Sequence, residues 1–593
     1  MRNAQQYLEL IRNRGERRLE LKRVYRNLQN RELFLLAYAK LYANEGALTP
    51  GTDPADTVDG MSLKRIDTII TDLQAGTYQW KPVRRTYVPK RNGKQRPLGV
   101  NNWSDKLLQE VIRMIFTAYY EPQFSNTSHG FRPGKGCHTA LRDILDGWKG
   151  TKWFIEGDLE KCFDNIEQLE LLNVIQRNIK DNRLIKLLKE MLEAGYIEDW
   201  RYYQTYSGVP QGNILSPVLA NIFLNELDTY IETSLIPQYT KGKRRRANPE
   251  YNKLCQAIYK AKAQEDYDLY RKLIKERRTL PSKLTHDPQY RRLRYCRYAD
   301  DILLGFTGPK AEAIEIKEKI SNFLTSINLT LSNEKTLITH ATTGRARFLG
   351  YDIQMAHGNN RLCNKRRSIN GTPILSVPPE VVKDWKARRI RKGKPYHRTE
   401  FLNNSDYDIV LAYNLEFQGL ANYYALAHDV SKKLYPLKWV YLQSLVKTLA
   451  AKHKRKATWV YKKYYRQLNN GIKAIVVKVE REDKASLITR FGAKPIRFDR
   501  GAILNDTILQ SKPARNELVK RLLANRCELC DSTENIIVHH IRKLKDLKQR
   551  YAGRPKPPQW VVRMIEKRRK TLVVCTPCHQ AIHAGTYDGS KLN

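Results

Sequence analysis

Residues 295–304, YCRYADDILL, set two carboxylates side by side between apolar runs of strand type. That pattern reads as a hairpin with Asp300 and Asp301 at its tip. Neighbouring acids beside a core are costly unless a cation neutralises them. A second apolar strand, WFIEGDLEKCFDNI, carries Asp158. Three carboxylates on two neighbouring strands suit a pair of Mg²⁺ ions about 4 Å apart, one activating a primer 3′-hydroxyl and the other stabilising leaving pyrophosphate. The expectation is a nucleotidyl-transfer site. An Asp-Asp turn alone is ordinary loop chemistry, so the reading depends on the surrounding segments.

From about residue 61 to 360, short apolar runs alternate with longer helical patterns. YVPK, WFIEGDL, YCRYADDILLGF and RFLGYDI read as strands, and residues 105–120, 167–195, 214–235 and 310–327 as helices. The fold class is α+β, multidomain, with antiparallel strands. Within this region, residues 236–294 read as a basic helical insertion. Residues 1–60 form a basic helical extension ending in the Gly/Pro/Asp-rich loop TPGTDPADTVDG. Residues 375–480 interleave Trp and Tyr with Lys and Arg at helical spacing, 481–519 read as a DNA-binding linker region, and 520–593 hold the paired cysteines.

Length suggests about four domains. Lys and Arg number 106 against 61 Asp and Glu, a net charge of +45, which implies a polyanionic partner. Apolar residues at 41%, with 34 Tyr and 14 Phe, exclude a disordered basic tail. No apolar run is long enough to span a membrane, and Glu9, Glu16 and Glu20 are unlike a secretory or transit signal. The expectation is a chain that is neither membrane-bound nor secreted.

Five cysteines are scattered, whereas Cys527/Cys530 and Cys575/Cys578 form two CxxC pairs. Four thiolates close a tetrahedral structural Zn²⁺ site, and so small a domain needs more than its own core. His539, His540, His579 and His583 lie within the same segment.

Tyr298-Ala299-Asp300-Asp301 resembles the YxDD box of reverse transcriptases, and its company resembles that of a group II intron-encoded reverse transcriptase/maturase along nearly the whole chain. YVPKRNGKQRPLGV resembles the fingers hairpin, which implies that Lys90 and Arg96 embrace the incoming triphosphate. HGFRPGKGCHTAL resembles the next box, with Arg132 at template or nucleotide. By the same resemblance Asp158 is the first metal ligand, and Phe163 sits under the sugar and excludes a 2′-hydroxyl. SGVPQGNILSPVLANIFLNELD resembles the PQG box, with Gln211 under the nucleotide and Gly212 permitting a tight backbone. NEKT, with Lys335, and FLGY at 348–351 resemble later boxes, the last gripping the primer.

FQGLANYYALA and SLVKTLAAKHKRK resemble the thumb and maturase domain. Lys452, Lys454, Arg455 and Lys456 are the candidates for RNA phosphate, while about half of Tyr423, Tyr424, Trp439 and Trp459 belong to a helical core. VHHIRK and CTPCHQAIH resemble an HNH endonuclease, which implies His540 as general base and His539, His579 and His583 around one divalent ion. The family's middle Asn falls at Lys570 or Thr571. A zinc-ribbon DNA-binding module without cleavage is the alternative there.

The resemblance implies a right-hand polymerase with fingers and palm, a helical thumb/maturase domain and a small ββα-metal, zinc-containing nuclease. Its expected partners are group II intron RNA, target DNA and deoxynucleotides, with homodimerisation left open. It would work in a bacterial cytoplasm or nucleoid, or in an organelle matrix. The rival is an RNA-binding splicing maturase with inactive polymerase and nuclease domains.

Overall fold

The computed structural model describes residues 3–44, 46–89, 93, 95–205, 208–332, 336–358, 362–363, 366–367, 370–469, 471–481, 484–504, 517–551, 557–567 and 569–587. At its centre the strands Arg292–Tyr298 and Asp301–Thr307 form the hairpin read from YCRYADDILL. Tyr298 pairs with Asp301, leaving Ala299 and Asp300 as the turn, with Ala299 at φ 55°. Trp153–Asp158 lies antiparallel on the other side of Asp301–Thr307, and Ile338–His340 completes four strands.

This sheet separates two cores. Ile302, Leu304 and Phe306 enter one, while Leu303, with Phe154 and Cys296, enters the other. Successive strand residues face opposite ways, so a sheet apolar on both faces yields the near-unbroken run ILLGF instead of an alternation. The first core gathers the N-terminal helices Ala4–Glu16, Arg31–Leu41 and Leu63–Ala75, the helix Trp103–Tyr120 and C-terminal residues including Leu518, Val538, Trp560, Val573 and Tyr587. Ser62 caps Leu63–Ala75 by accepting from the Arg65 N–H, and Gly76 closes it at φ 75°. The second core joins Cys137–Gly147 to the helices Asp406–Tyr423, Val430–Lys452 and Ala457–Tyr464.

Three elements differ from the sequence reading. Residues 167–195 split into Gln168–Asn178 and Asn182–Glu193, because Asp181 turns back to cap the second helix at the Leu184 N–H. RFLGYDI is a tight hairpin of Ala346–Phe348 and Tyr351–Met355, with Leu349 at φ 45° and Gly350 at φ 70° as the turn. The helical pattern after 375 gives way to a three-stranded antiparallel sheet, Tyr465–Gln467, Lys473–Arg481 and Lys484–Phe491, whose β-branched residues pack against the helices.

The insertion holds the helices Pro249–Ala263 and Tyr267–Thr279, the second with no buried side chain. Residues 496–502 are pinned to Cys137–Gly147: Arg142 donates to the Arg500 and Ala502 carbonyls, and Arg500 pairs with Asp146. Among the described residues no helix is long and apolar enough to cross a membrane.

Candidate functional site

Strand register assembles the first site. Asp158, last residue of its strand, pairs directly with Asp301, and Asp300 occupies the adjoining turn. All three side chains are partly exposed. The turn is held from below by Arg297, which is fully buried and donates to the Ala299 carbonyl at 3.0 Å. Arg297 also makes a bidentate pair with buried Asp228, at 2.8 and 2.6 Å. Burial alone would lower the guanidinium pKa, but Asp228 outweighs it and holds Arg297 above its ordinary value. Cys162 lies behind the acids, and burial, reinforced by Asp300, pushes its thiol up to about 12.

Two glycines let neighbouring segments approach. A Cβ on Gly130 would meet the Ala299 N at 2.3 Å, and one on Gly212, at φ +113°, would meet the Gly99 carbonyl oxygen at 2.3 Å. The second approach seats the PQG segment on the strand Gln95–Val100, where the Gly99 N–H donates to the Gln211 carbonyl at 2.6 Å. Beside it lies a cavity of about 310 Å³ lined by Arg85, Leu98, Gly99, Asp164, Tyr196 and Gln211. Gln211 Nε2 donates to Asp164 at 3.1 Å. Phe163 is half-buried, its ring 6.4 Å from and edge-on to partly exposed Phe131. Arg96 is exposed on the same hairpin strand, whereas Lys90 and Lys335 lie outside the described residues.

Arg132 is a correction. It is buried, pairs with Glu121 at 2.9 Å and donates to the Ser128 carbonyl at 2.8 Å and to that of Ser125. Its task is to satisfy carbonyls of the loop between two helices, so it does not face template or nucleotide.

A second site lies at the far end of the chain. Ile536–His540 pairs antiparallel with Thr571–Cys575, and the helix Thr576–Ala584 follows directly. Cys527, Cys530, Cys575 and Cys578 bring their sulfurs within 4.8 Å of one another. Burial, aided by Cys530 and Cys527 and opposed by Cys578, pushes Cys575 up to about 11, a cost that a bound cation removes. The donor set fits Zn²⁺.

His539, His579 and His583 form another cluster, with a fourth member absent from the sequence reading: Asp59. Its carboxylate lies 3.2 Å from His579 Nε2 and 2.8 Å from His583 Nε2, and 3.5 Å from His539 Nδ1. Both ring nitrogens of His539 are buried without a well-formed hydrogen bond, so one of them is free to meet an ion. Burial would raise the Asp59 carboxyl, but the facing imidazoles of His539 and His579 outweigh it and hold it below the ordinary range.

His540 points away from this cluster. Its Nε2 is 3.0 Å from the Tyr38 hydroxyl, and burial pushes its pKa down to about 3. Across the strands from His540 stands Thr571, whose hydroxyl accepts from Arg521 at 3.3 Å; Lys570 bonds the Ile541 N–H through its carbonyl.

Residues 88–353 match the reverse transcriptase (RNA-dependent DNA polymerase) family, 380–504 the type II intron maturase family and 527–579 the AI2M/AI1M-like HNH endonuclease family. Over 591 residues the sequence is 37% identical to the group II intron-encoded protein LtrA of Lactococcus lactis subsp. cremoris, covering 94% of this chain and 95% of that one. The chain is a group II intron-encoded protein.

This group II intron-encoded protein is also 34% identical to an uncharacterized 91 kDa protein in the cob intron of Schizosaccharomyces pombe, covering 94% of this chain and 69% of that one. To the nuclear intron maturase 1, mitochondrial, of Arabidopsis thaliana it is 23% identical, covering 72% and 69%.

In the group II intron-encoded protein, the maturase-matched region presents Lys454, Arg455 and Lys456 exposed on the turn between two helices. Lys452 differs from the sequence reading: its Nζ turns inward to Asp406 at 2.6 Å, beside His453 and Tyr464, because an acid half-buried at a helix start needs a cation. Tyr424 is buried and bonds the Gly350 carbonyl, Tyr423 bonds that of Leu349, Trp459 is half-buried and Trp439 is exposed. Two of these rings therefore support the FLGY hairpin.

Proposed function

We propose that this protein copies its intron RNA into DNA, assists the folding of that RNA for splicing, and nicks target DNA to supply the primer. The observation that carries the polymerase reading is the register that sets Asp158 opposite Asp301 and beside Asp300. These three carboxylates would hold Mg²⁺, which supplies activation of the primer hydroxyl and charge stabilisation at the departing pyrophosphate. The chain's own residues position the reactants. Arg96, with Lys90, neutralises the triphosphate; Gln211 and Gly212 seat the base and its backbone; the half-buried ring of Phe163 excludes a 2′-hydroxyl. The FLGY hairpin, braced by Tyr423 and Tyr424, grips the primer. In right-hand terms the central sheet is the palm, residues before it contribute the fingers, and the helices after 375 are the thumb and maturase domain.

Lys454, Arg455 and Lys456 contact RNA phosphates, and the +45 charge makes binding to the intron RNA fall steeply with salt. The four cysteines hold a structural Zn²⁺ that ties the nuclease strands together. His539, His579 and His583 would hold a divalent ion that stabilises the leaving oxygen, and His540 would take the proton from the attacking water only once its Nε2 is released from the Tyr38 hydroxyl. The protein would work wherever its intron is transcribed, in a bacterial cytoplasm or nucleoid or an organelle matrix.

Primer extension on an RNA template with Mg²⁺ and deoxynucleotides tests the reading. Extension by the intact protein and none by Asp300→Ala/Asp301→Ala is the expected result. No extension by either, with salt-sensitive RNA binding kept by both, would leave an RNA-folding maturase in its place.

A further inference from the structure

The nuclease reading requires two openings: a position at the ion for a DNA phosphate, and a path from water to the general base. A hydrolytic metal site keeps one coordination position free, whereas a structural one is closed. Here Asp59 stands among the three histidines, with all four ligand atoms within 4.8 Å of one another, and fills the fourth position. A base must face the proton it removes. His540 Nε2 instead faces the Tyr38 hydroxyl at 3.0 Å, with the ring of Tyr42 packed alongside.

Both blocking groups come from the N-terminal layer, which is docked by a short latch. The Gly60 N–H donates to the Val538 carbonyl at 3.0 Å, the Val538 N–H to the Met61 carbonyl at 2.9 Å, and the His540 N–H to Asp59 at 2.8 Å. Met61 is itself fixed, fully buried beneath Trp103. The latch positions Asp59 and Tyr38 against the two groups on which hydrolysis depends. The half-exposed His583 marks the side open to solvent.

We propose that Asp59 and Tyr38 plug the nuclease, the carboxylate occupying the ion's open position as a stand-in for a DNA phosphate and the hydroxyl occupying the base. Carboxylate and phosphate oxygens are interchangeable to a hard cation, so the group that displaces Asp59 is a backbone phosphate of bound DNA. The nuclease is closed in this arrangement and opens when the N-terminal layer that carries both groups, the loop 58–61 with Asp59 and the helix Arg31–Leu41 with Tyr38, withdraws from the strand Ile536–His540. This rests on the nuclease reading, and the test separates the two.

The zinc-loaded full chain is used in an Asp300→Ala/Asp301→Ala background, so that Mn²⁺ reports on the histidine site while thiolates retain Zn²⁺. Loss of a direct ligand in Asp59→Asn weakens Mn²⁺ binding roughly tenfold or more, yet raises nicking of duplex DNA at saturating Mn²⁺. Tyr38→Phe leaves Mn²⁺ affinity unchanged and also raises nicking. Both speed hydrogen exchange at residues 536–540. Unchanged Mn²⁺ affinity in Asp59→Asn overturns the ligand assignment, and slower nicking in either variant at saturating Mn²⁺ overturns the plug, since those residues would then serve the reaction. Nicking by no variant overturns the nuclease reading, and with it the plug, while the Mn²⁺ titration still decides the ligand. Primer extension by the same substitutions, made with the acids intact, reports that the chain is folded.

Discussion

Asp228→Asn should release the turn that carries Asp300. The wild-type pair is closed on every side: Arg297 is fully buried and Asp228 is 1% exposed, with Tyr295 donating to the same carboxylate at 2.8 Å. The remaining Arg297 donors reach Asn221 at 3.1 Å and the Ala299 carbonyl at 3.0 Å. Removing the anion strands a buried cation and turns an amide N–H toward guanidinium donors, a cost of about 3–5 kcal/mol. A chain of several domains has no single unfolding energy, so the effect is read as local opening of the hairpin. At about 1.4 kcal/mol per decade, amide protection over residues 293–306 should fall by roughly two to four orders of magnitude. Primer extension should fall with it.

The double variant Arg297→Met/Asp228→Leu separates stability from function. Replacing both charges together is close to neutral, so protection should recover. The Ala299 carbonyl, however, still lacks its donor, so extension should stay low. Wild-type protection in Asp228→Asn, or extension restored in the double variant, would refute the claim that Arg297 sets the turn.

Two further outcomes are expected. Phe163→Ala should admit ribonucleotides to primer extension while deoxynucleotide use changes less; unchanged exclusion in competition assays would remove Phe163 from the sugar gate. Asp105 is buried, and burial pushes its carboxyl up to about 7 despite the Tyr78 hydroxyl and the Lys81 N–H that bond it. An acid whose pKa is raised on folding stabilises below its unfolded value of about 4 and loses that contribution as pH rises through about 7. Asp105→Asn should therefore melt above the wild type at neutral and higher pH and lose the advantage in acid; a difference independent of pH would contradict this.

Legibility in the sequence followed the range of the interactions. The hairpin of YCRYADDILL, the strand bearing Asp158 and the paired cysteines are local patterns, and local patterning was enough to place them. The three-stranded sheet after 464 was harder, since IKAIVVKV follows a long helical stretch and takes strand form by pairing with 484–491 and packing on the helices. Arg132 and Lys452 were misread for one reason: a basic residue in a motif says nothing of whether Glu121 or Asp406 will meet it.

Asp59 is the extreme case. The loop TPGTDPADTVDG holds three aspartates that composition cannot distinguish. Asp53 bonds the Ala55 N–H within its own turn, a job that any Asx turn explains. Asp56 accepts from the Ser104 N–H and hydroxyl and pairs with Arg65, fastening the loop to two helices. Asp59 alone lies next to Gly60 and Met61, whose backbone bonds Val538, and so it alone is carried to the histidines. Roughly 480 residues separate it from its nearest partners in sequence, His539 and His540. No spacing rule spans that interval. The ligand becomes visible only when the strand Ile536–His540 takes the loop as its neighbour, and a substitution at Asp59 therefore reports on docking and on the metal site together.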